Sequence, residues 1–273
     1  MKRTFLNAQR PLLVGSIRRK NTAEAIADMA ASELDGARAF ILHLQLLEEQ
    51  SAKPEELRKI FAATKYPVMA INYPSGNEPM DNGQIRVLFE AVEAGAACVD
   101  IRADAFDPDP QSSLAECGMP FAAAKPVQIS MCTECIHRQK ACIEQVHAMG
   151  AEALLSAHVQ THFTCEQAVS LALEMESRGP DIVKIVTDCP DVDQALEMLR
   201  STVELKKRLK VPFLYICTGP HGDIIRPLAP LFGSLLVFGH HDYSEMSNIH
   251  KPLLGNLREF YRIIPWRIDD YMA

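Results

Sequence analysis

Eight short runs of strand-forming residues recur along this chain, near positions 11–16, 39–44, 68–72, 98–101, 153–156, 182–186, 213–217 and 235–238. Each is followed by a longer helical segment, near 23–33, 53–63, 82–94, 136–149, 165–178, 192–209, 224–231 and 253–263. Eight strand–helix units are the count that closes a parallel (β/α)₈ barrel, also called a TIM barrel, and this alternation constrains the fold more than any other feature. The rival is an open doubly wound sheet. That arrangement calls for a glycine-rich phosphate turn after an early strand, and Gly15-Ser-Ile-Arg-Arg-Lys-Asn21 is not one. Local punctuation agrees with the helix assignments. Thr164 with Gln167 three residues on has the form of a capping box. Gly95, Gly150 and Gly179 stand just past helical runs, where a left-handed residue ends a helix without a Cβ clash, and each leads into a strand.

At 273 residues and 48% hydrophobic content, with no linker-like stretch or charge block, residues 1–273 are expected to form one barrel domain. A net charge of −7 with scattered basic residues disfavours nucleic acid as a partner. The amino-terminal stretch lacks the apolar core of a signal peptide, and no run approaches the roughly 20 apolar residues that span a bilayer. A cytoplasmic protein without a membrane partner is the expectation. Eight cysteines, at 98, 117, 132, 135, 142, 165, 189 and 217, are expected to be free thiols, because a chain with a core this large needs no disulfide staples. Cys132-Thr-Glu-Cys135 with His137 and Cys142 nearby has the opening half of a zinc motif but no second pair, so a thiol pair is the reading and no metal is expected.

One segment breaks the rhythm. Residues 104–135 carry Asp107-Pro-Asp-Pro, Cys117-Gly-Met-Pro and Ala124-Lys-Pro, more turn chemistry than a simple crossover holds. Following the fourth strand, the segment falls on the face where barrel enzymes place their catalytic loops, as an inserted wall or lid. Its apolar residues Met119, Phe121, Val127, Ile129 and Met131 predict an ordered cover.

The chemistry points to residues 153–186. Leu154-Leu-Ser-Ala-His158 is an apolar run closing on an imidazole, and Asp181-Ile-Val-Lys-Ile-Val186 places an amine inside another. Side chains alternate across a strand, so Ile182, Lys184 and Val186 share one face while Leu154, Ser156 and His158 share a face of the strand before. Lysine is rarely buried unless it is paired or chemically used. The plainer readings are an edge lysine whose stem reaches solvent and a hydrogen-bonded structural histidine.

These residues resemble the type I 3-dehydroquinate dehydratases, Schiff-base enzymes with a (β/α)₈ fold. The resemblance spans most of the chain, and its most specific pieces are the segment ending in His158, the strand holding Lys184, and Ile224-Ile-Arg226-Pro-Leu-Ala-Pro-Leu-Phe-Gly-Ser. It implies an imine at Lys184, a general acid/base at His158 and a carboxylate-binding role for Arg226, without a cofactor, and a homodimer. Other family positions differ. His43-Leu-Gln stands where a Glu-x-Arg pair is usual, Tyr73 replaces a substrate-binding arginine, and Arg102 replaces the glutamate that partners the histidine. The closing loop reads His240-His-Asp-Tyr-Ser-Glu245. His43, Tyr73, Arg102 and His241 are therefore taken as further substrate contacts.

An unperturbed lysine, with a pKa near about 10.4, is almost wholly protonated at neutral pH and cannot attack a ketone. Burial between Ile182 and Val186 is expected to pull Lys184 toward neutrality, and Arg102 to lower the His158 pKa. By strand parity Asp100 and Arg102 could pair with each other. The expected reaction is loss of water from 3-dehydroquinate or a related hydroxy-keto acid. A class I aldolase using the same lysine and a catalytically inactive metabolite-binding protein are the alternatives.

Overall fold

The computed structural model describes residues 3–76, 78–124 and 126–272. In chain order the elements are β1 (Leu12–Ile17), α1 (Thr22–Leu34), β2 (Ala39–His43), α2 (Pro54–Ala62), β3 (Val68–Ile71), α3 (Asn82–Ala94), β4 (Cys98–Arg102), α4 (Pro110–Ala115), α5 (Thr133–Ala148), β5 (Glu152–His158), α6 (Cys165–Glu176), β6 (Ile182–Asp188), α7 (Val192–Arg208), β7 (Phe213–Thr218), α8 (Gly222–Leu228), β8 (Leu236–Gly239) and α9 (Leu254–Ile263). All strand pairs are parallel, in the order β7-β6-β5-β4-β3-β2-β1-β8. Strands β7 and β8 meet at their base, where Leu235 N–H donates to the Phe213 carbonyl at 2.8 Å. The expected TIM barrel is the fold.

The helices form where sequence signals place them. In α2, Pro54 opens the first turn and Leu57, Ile60 and Phe61 bury one face, the spacing of an amphipathic helix. α3 starts on a capping box between Asp81 and Gln84 and ends at Gly95, whose φ of 118° a side chain would resist. The Thr164 box also forms at the start of α6. The helical run read at 224–231 divides instead, into α8 and a 3₁₀ turn at Ala229–Phe232, because Pro227 and Pro230 remove donors from the ladder. β5 and β6 each run two residues past their apolar stretches, to His158 and Asp188, so both polar ends stay in register in the sheet.

Two apolar regions result. The larger packs the helices against the outside of the strands. The smaller fills the barrel with Leu12, Val14, Ala39, Ile41, Met69, Ile71, Cys98, Leu154, Ile182, Leu214, Leu236 and Phe238. Phe5, fully buried, closes its base, held by Glu152, which accepts from the Phe5 N–H at 2.9 Å and from the Thr4 hydroxyl. Going up the axis, the same inward rows continue as Ser16, His43, Tyr73, Asp100, Ser156, Lys184 and His240. Apolar floor and polar mouth thus follow from one alternation.

The described residues of the segment 104–135 hold short helical turns and buried apolar side chains. These are α4 and a 3₁₀ turn at Pro120–Ala123, with Leu114, Phe121, Val127 and Ile129 fully buried and Met119 and Met131 half-buried. The segment joins the ends of β4 and β5: Ser130 N–H donates to Ala103 O at 2.9 Å and Gln128 N–H to His158 O at 3.0 Å. Arg178, at the end of α6, fastens it from below. This buried guanidinium donates to Ala103 O at 3.1 Å, Ser130 O at 2.8 Å and Gln139 Oε1 at 2.6 Å, with Glu174 as its counter-ion at 3.1 Å.

Candidate active site

β4, β5 and β6 are adjacent, and their register sets Arg102 beside Ser156 and Ser156 beside Lys184. The Lys184 ammonium, on a residue only 5% exposed, lies 2.9 Å from Asp100 Oδ2 and donates to the Tyr73 hydroxyl at 2.7 Å. Tyr73 in turn donates to Asp100 Oδ2 at 2.6 Å, and Ser156 donates to Asp100 Oδ1 at 2.5 Å. One carboxylate thus gathers three donors.

This arrangement corrects the expected state of the lysine. Burial on its own lowers the Lys184 pKa, but the Asp100 charge and then Tyr73 outweigh it, and the amine is held above its ordinary range. Apolar neighbours neutralise a buried amine only where no counter-ion is within reach. Tyr73 also titrates above its usual range, through burial and the adjacent Asp100 carboxylate, so it is a phenol with a proton to give. The tie between Asp100 and Lys184 was not legible in the sequence, where Asp100 stood as a partner for Arg102 or a stand-in for the glutamate beside the histidine.

That pairing does not form. Residues two apart on a strand stand roughly 7 Å from each other along it, whereas the chain bends after β4 and returns Asp104 to the guanidinium. Arg102, 2% exposed, donates from Nε to Asp104 Oδ1 at 3.0 Å and from its terminal nitrogen to Oδ2. Its fork is filled from within the protein, and Arg102 is not an open carboxylate grip. Its remaining influence is on His158, whose pKa lies well below that of free imidazole, first through burial, then through the charges of Lys184 and Arg102.

His158 Nδ1 is 2.7 Å from Gln128 Oε1. An amide oxygen accepts, so Nδ1 carries the proton and Nε2 has the lone pair, the form a base requires. The Tyr73 ring meets the imidazole edge-on at 5.4 Å between centroids, so this tyrosine touches both Lys184 and His158. Gln128, from the inserted segment, is a second residue that pattern reasoning missed. Position 128 carries no motif, and its role appears only once the segment folds back on β5.

On the other side of the mouth, His43 is buried with Nδ1 3.1 Å from Arg18 and Nε2 3.4 Å from Ser16 Oγ. Burial, then the charges of Lys251 and Arg18, keep it neutral. Lys251 donates to Ser16 Oγ at 2.7 Å. Arg226, in α8, is 8% exposed and its Nε has no hydrogen-bond partner. The two terminal histidines are reversed relative to expectation. His241 turns outward and pairs with Asp35 at 2.6 Å, while His240 is 3% exposed and faces in, its Nδ1 3.2 Å from Ser16 O. Parity along β8 explains the reversal: Leu236, Phe238 and His240 form the inward row, and the next residue must point away.

All eight cysteines are free. Cys132 caps α5, with Cys135 in its first turn. Among the described residues no group of three or more His, Cys, Asp or Glu side chains is placed to hold a metal ion, and no helix is long and apolar enough to cross a membrane.

Comparisons with known proteins agree with the barrel fold. The family model described as type I 3-dehydroquinase matches residues 16–265. A 3-dehydroquinate dehydratase from Clostridium kluyveri is 31% identical over 103 residues, 37% of this chain and 40% of that protein. The bifunctional chloroplastic 3-dehydroquinate dehydratase/shikimate dehydrogenase of Arabidopsis thaliana is 29% identical over 111 residues, 40% of this chain and 18% of that one. The matched stretches thus span well under half of these relatives. Among solved structures, 3-dehydroquinate dehydratase from Geobacillus kaustophilus superposes with a TM-score of 0.74 at 14% identity, covering 96% of this chain and 95% of that chain. The Enterococcus faecalis enzyme gives 0.68 at 19% identity, covering 96% and 98%.

Proposed function

Because the chain belongs to the type I 3-dehydroquinase family, we propose that it is a dehydratase that removes water from a hydroxy-keto acid, 3-dehydroquinate or a relative, through an imine at Lys184. The observation that carries this reading is the convergence of one amine, one carboxylate, one phenol and one neutral imidazole on adjacent strands inside the mouth.

Each group has a step. Asp100, at 2.9 Å, takes the proton that keeps Lys184 unreactive, and the freed amine attacks the ketone. Tyr73 gives a proton to the carbinolamine oxygen, which departs as water and leaves an iminium. The iminium acidifies the neighbouring C–H, and His158 Nε2 removes that proton. The resulting enamine expels the β-hydroxyl, which His158 protonates as it leaves. Using one base for both transfers makes the elimination syn. Arg226 holds the carboxylate, and Gln128 keeps His158 in the working tautomer. Water then hydrolyses the conjugated imine.

Borohydride added with 3-dehydroquinate is expected to fix the substrate to the protein, with a matching mass increase that disappears in Lys184→Met. The conjugated enone product is expected to absorb in the ultraviolet. Thermal stabilisation by 3-dehydroquinate with neither adduct nor enone refutes 3-dehydroquinate as the substrate; the same outcome with its hydroxy-keto acid relatives refutes the enzyme reading and favours an inactive binding protein, for which the firm Asp100–Lys184 pair is the supporting observation.

A further inference from the structure

Four cationic side chains surround the mouth, and they are unequally matched. Lys184 has Asp100. Among the described residues no carboxylate lies within ion-pairing distance of Arg18, Arg226 or Lys251. Arg18 donates to Met246 O and to His43, and Lys251 to Ser16 Oγ, all neutral groups. Three cations sharing one partly desolvated space repel one another, a cost that a bound anion removes. Burial, followed by the charges of Arg18, Arg226 and Lys184, accordingly drives the Lys251 pKa well below the usual lysine range.

Two buried atoms at the mouth also lack partners, and their polarities are opposite. Arg226 Nε is a donor. His240 Nδ1 faces a carbonyl and therefore carries its proton, so the unpartnered Nε2 of this neutral imidazole is an acceptor. Buried polar groups in native proteins nearly always have partners, and an unmatched donor and acceptor beside excess positive charge describe a ligand with both an anionic group and a hydroxyl.

Arg226 stands in α8 beyond β7, Arg18 directly after β1 and Lys251 in the segment between β8 and α9, so three unmatched cations converge on a mouth where one carboxylate neutralises only one of them. We propose that Lys251 and Arg18 form a second anion subsite, and that the substrate is a hydroxy-keto acid carrying another anionic group in addition to the carboxylate at Arg226. His240 then accepts from a substrate hydroxyl between them. This inference rests on the reading of the mouth as a keto-acid site, and within that reading it favours a dianionic relative over 3-dehydroquinate, which carries a single carboxylate.

The test uses two ketones of one chain length, 4-oxoheptanedioate and 4-oxoheptanoate, which differ in the second carboxylate. Titration calorimetry on the full chain is expected to show the dianion binding at least about tenfold tighter, a difference of roughly 1.4 kcal/mol. Lys251→Met and, independently, Arg18→Gln are expected to bring the ratio below about threefold, while Lys251→Arg keeps it. Equal affinities in the wild type, no saturable binding of the dianion, or a preference that survives both substitutions overturns the proposal. Lys184→Met separates the two readings. A dianion preference that persists there, and in wild type that gives no borohydride adduct, sinks the imine mechanism and leaves the subsite standing.

Discussion

Replacing Asp100 with Asn probes the centre of the site. Asp100 Oδ2 accepts from both Lys184 and Tyr73, and Oδ1 from Ser156. An amide supplies one accepting oxygen where the carboxylate has two, so at least one donor is left unmatched in a pocket where Lys184 is 5% exposed. Removing one member of a buried ion pair costs about 3–5 kcal/mol when the survivor remains charged. The survivor avoids part of that cost by losing its proton, which turns the stability into a function of pH. In the wild type the Lys184 pKa is raised on folding, so its contribution is full below the unfolded value of about 10.4 and fades only above it, beyond the neutral range. In Asp100→Asn the folded pKa falls below that of the unfolded chain. The unfolded state then binds more protons, and stability rises with pH up to about 10. Urea denaturation of both proteins from pH 6 to pH 9 is expected to show a deficit of several kcal/mol near pH 6, narrowing steadily toward pH 9. A deficit that stays constant with pH, or no deficit at pH 6, refutes the assignment of Asp100 as the counter-ion that sets the lysine's charge.

Two further outcomes follow from other parts of the site. The His158 imidazole is expected to titrate well below about 6.5 in an NMR pH series, and since its folded pKa is depressed, its contribution to stability is present above that value and lost as the pH falls below it; a midpoint at or above free imidazole contradicts the burial and the Lys184 and Arg102 charges that face it. Arg178→Met is expected to release residues 104–135 by deleting the bonds to Ala103 O and Ser130 O, so that limited proteolysis cuts within the segment several-fold faster than in the wild type; unchanged cleavage there would show that the apolar contacts of Phe121, Val127 and Ile129 suffice without it.

The barrel was legible because its determinants are local and repeat eight times. The two capping boxes, the C-terminal glycines and the period-two strands each act within a few residues, and parity alone put Lys184, Ser156 and His158 on inward rows. What parity could not supply was the identity of partners across strands. Asp100 and Arg102 share a row in sequence, yet each is satisfied by a residue on another part of the chain path, Lys184 on β6 and Asp104 past the end of β4. The charge on Lys184 was misjudged for that reason, since it depends on a carboxylate 84 positions away in sequence. Gln128 and Lys251 were hidden differently. Both lie in irregular segments whose return to the mouth follows from packing rather than from any periodic signal. The choice of His241 over His240 is another matter, because the inward row of β8 already pointed to the first of the pair.

The plug at the base of the barrel gives the residues ahead of β1 a share in its core. With Phe5 buried in one apolar cluster with Leu12 and Leu236 and pinned through Glu152, the barrel presents an apolar floor to water from below. Shortening the chain at its front would bare the apolar floor to water, while the side chains stacked above it still part that water from the amine.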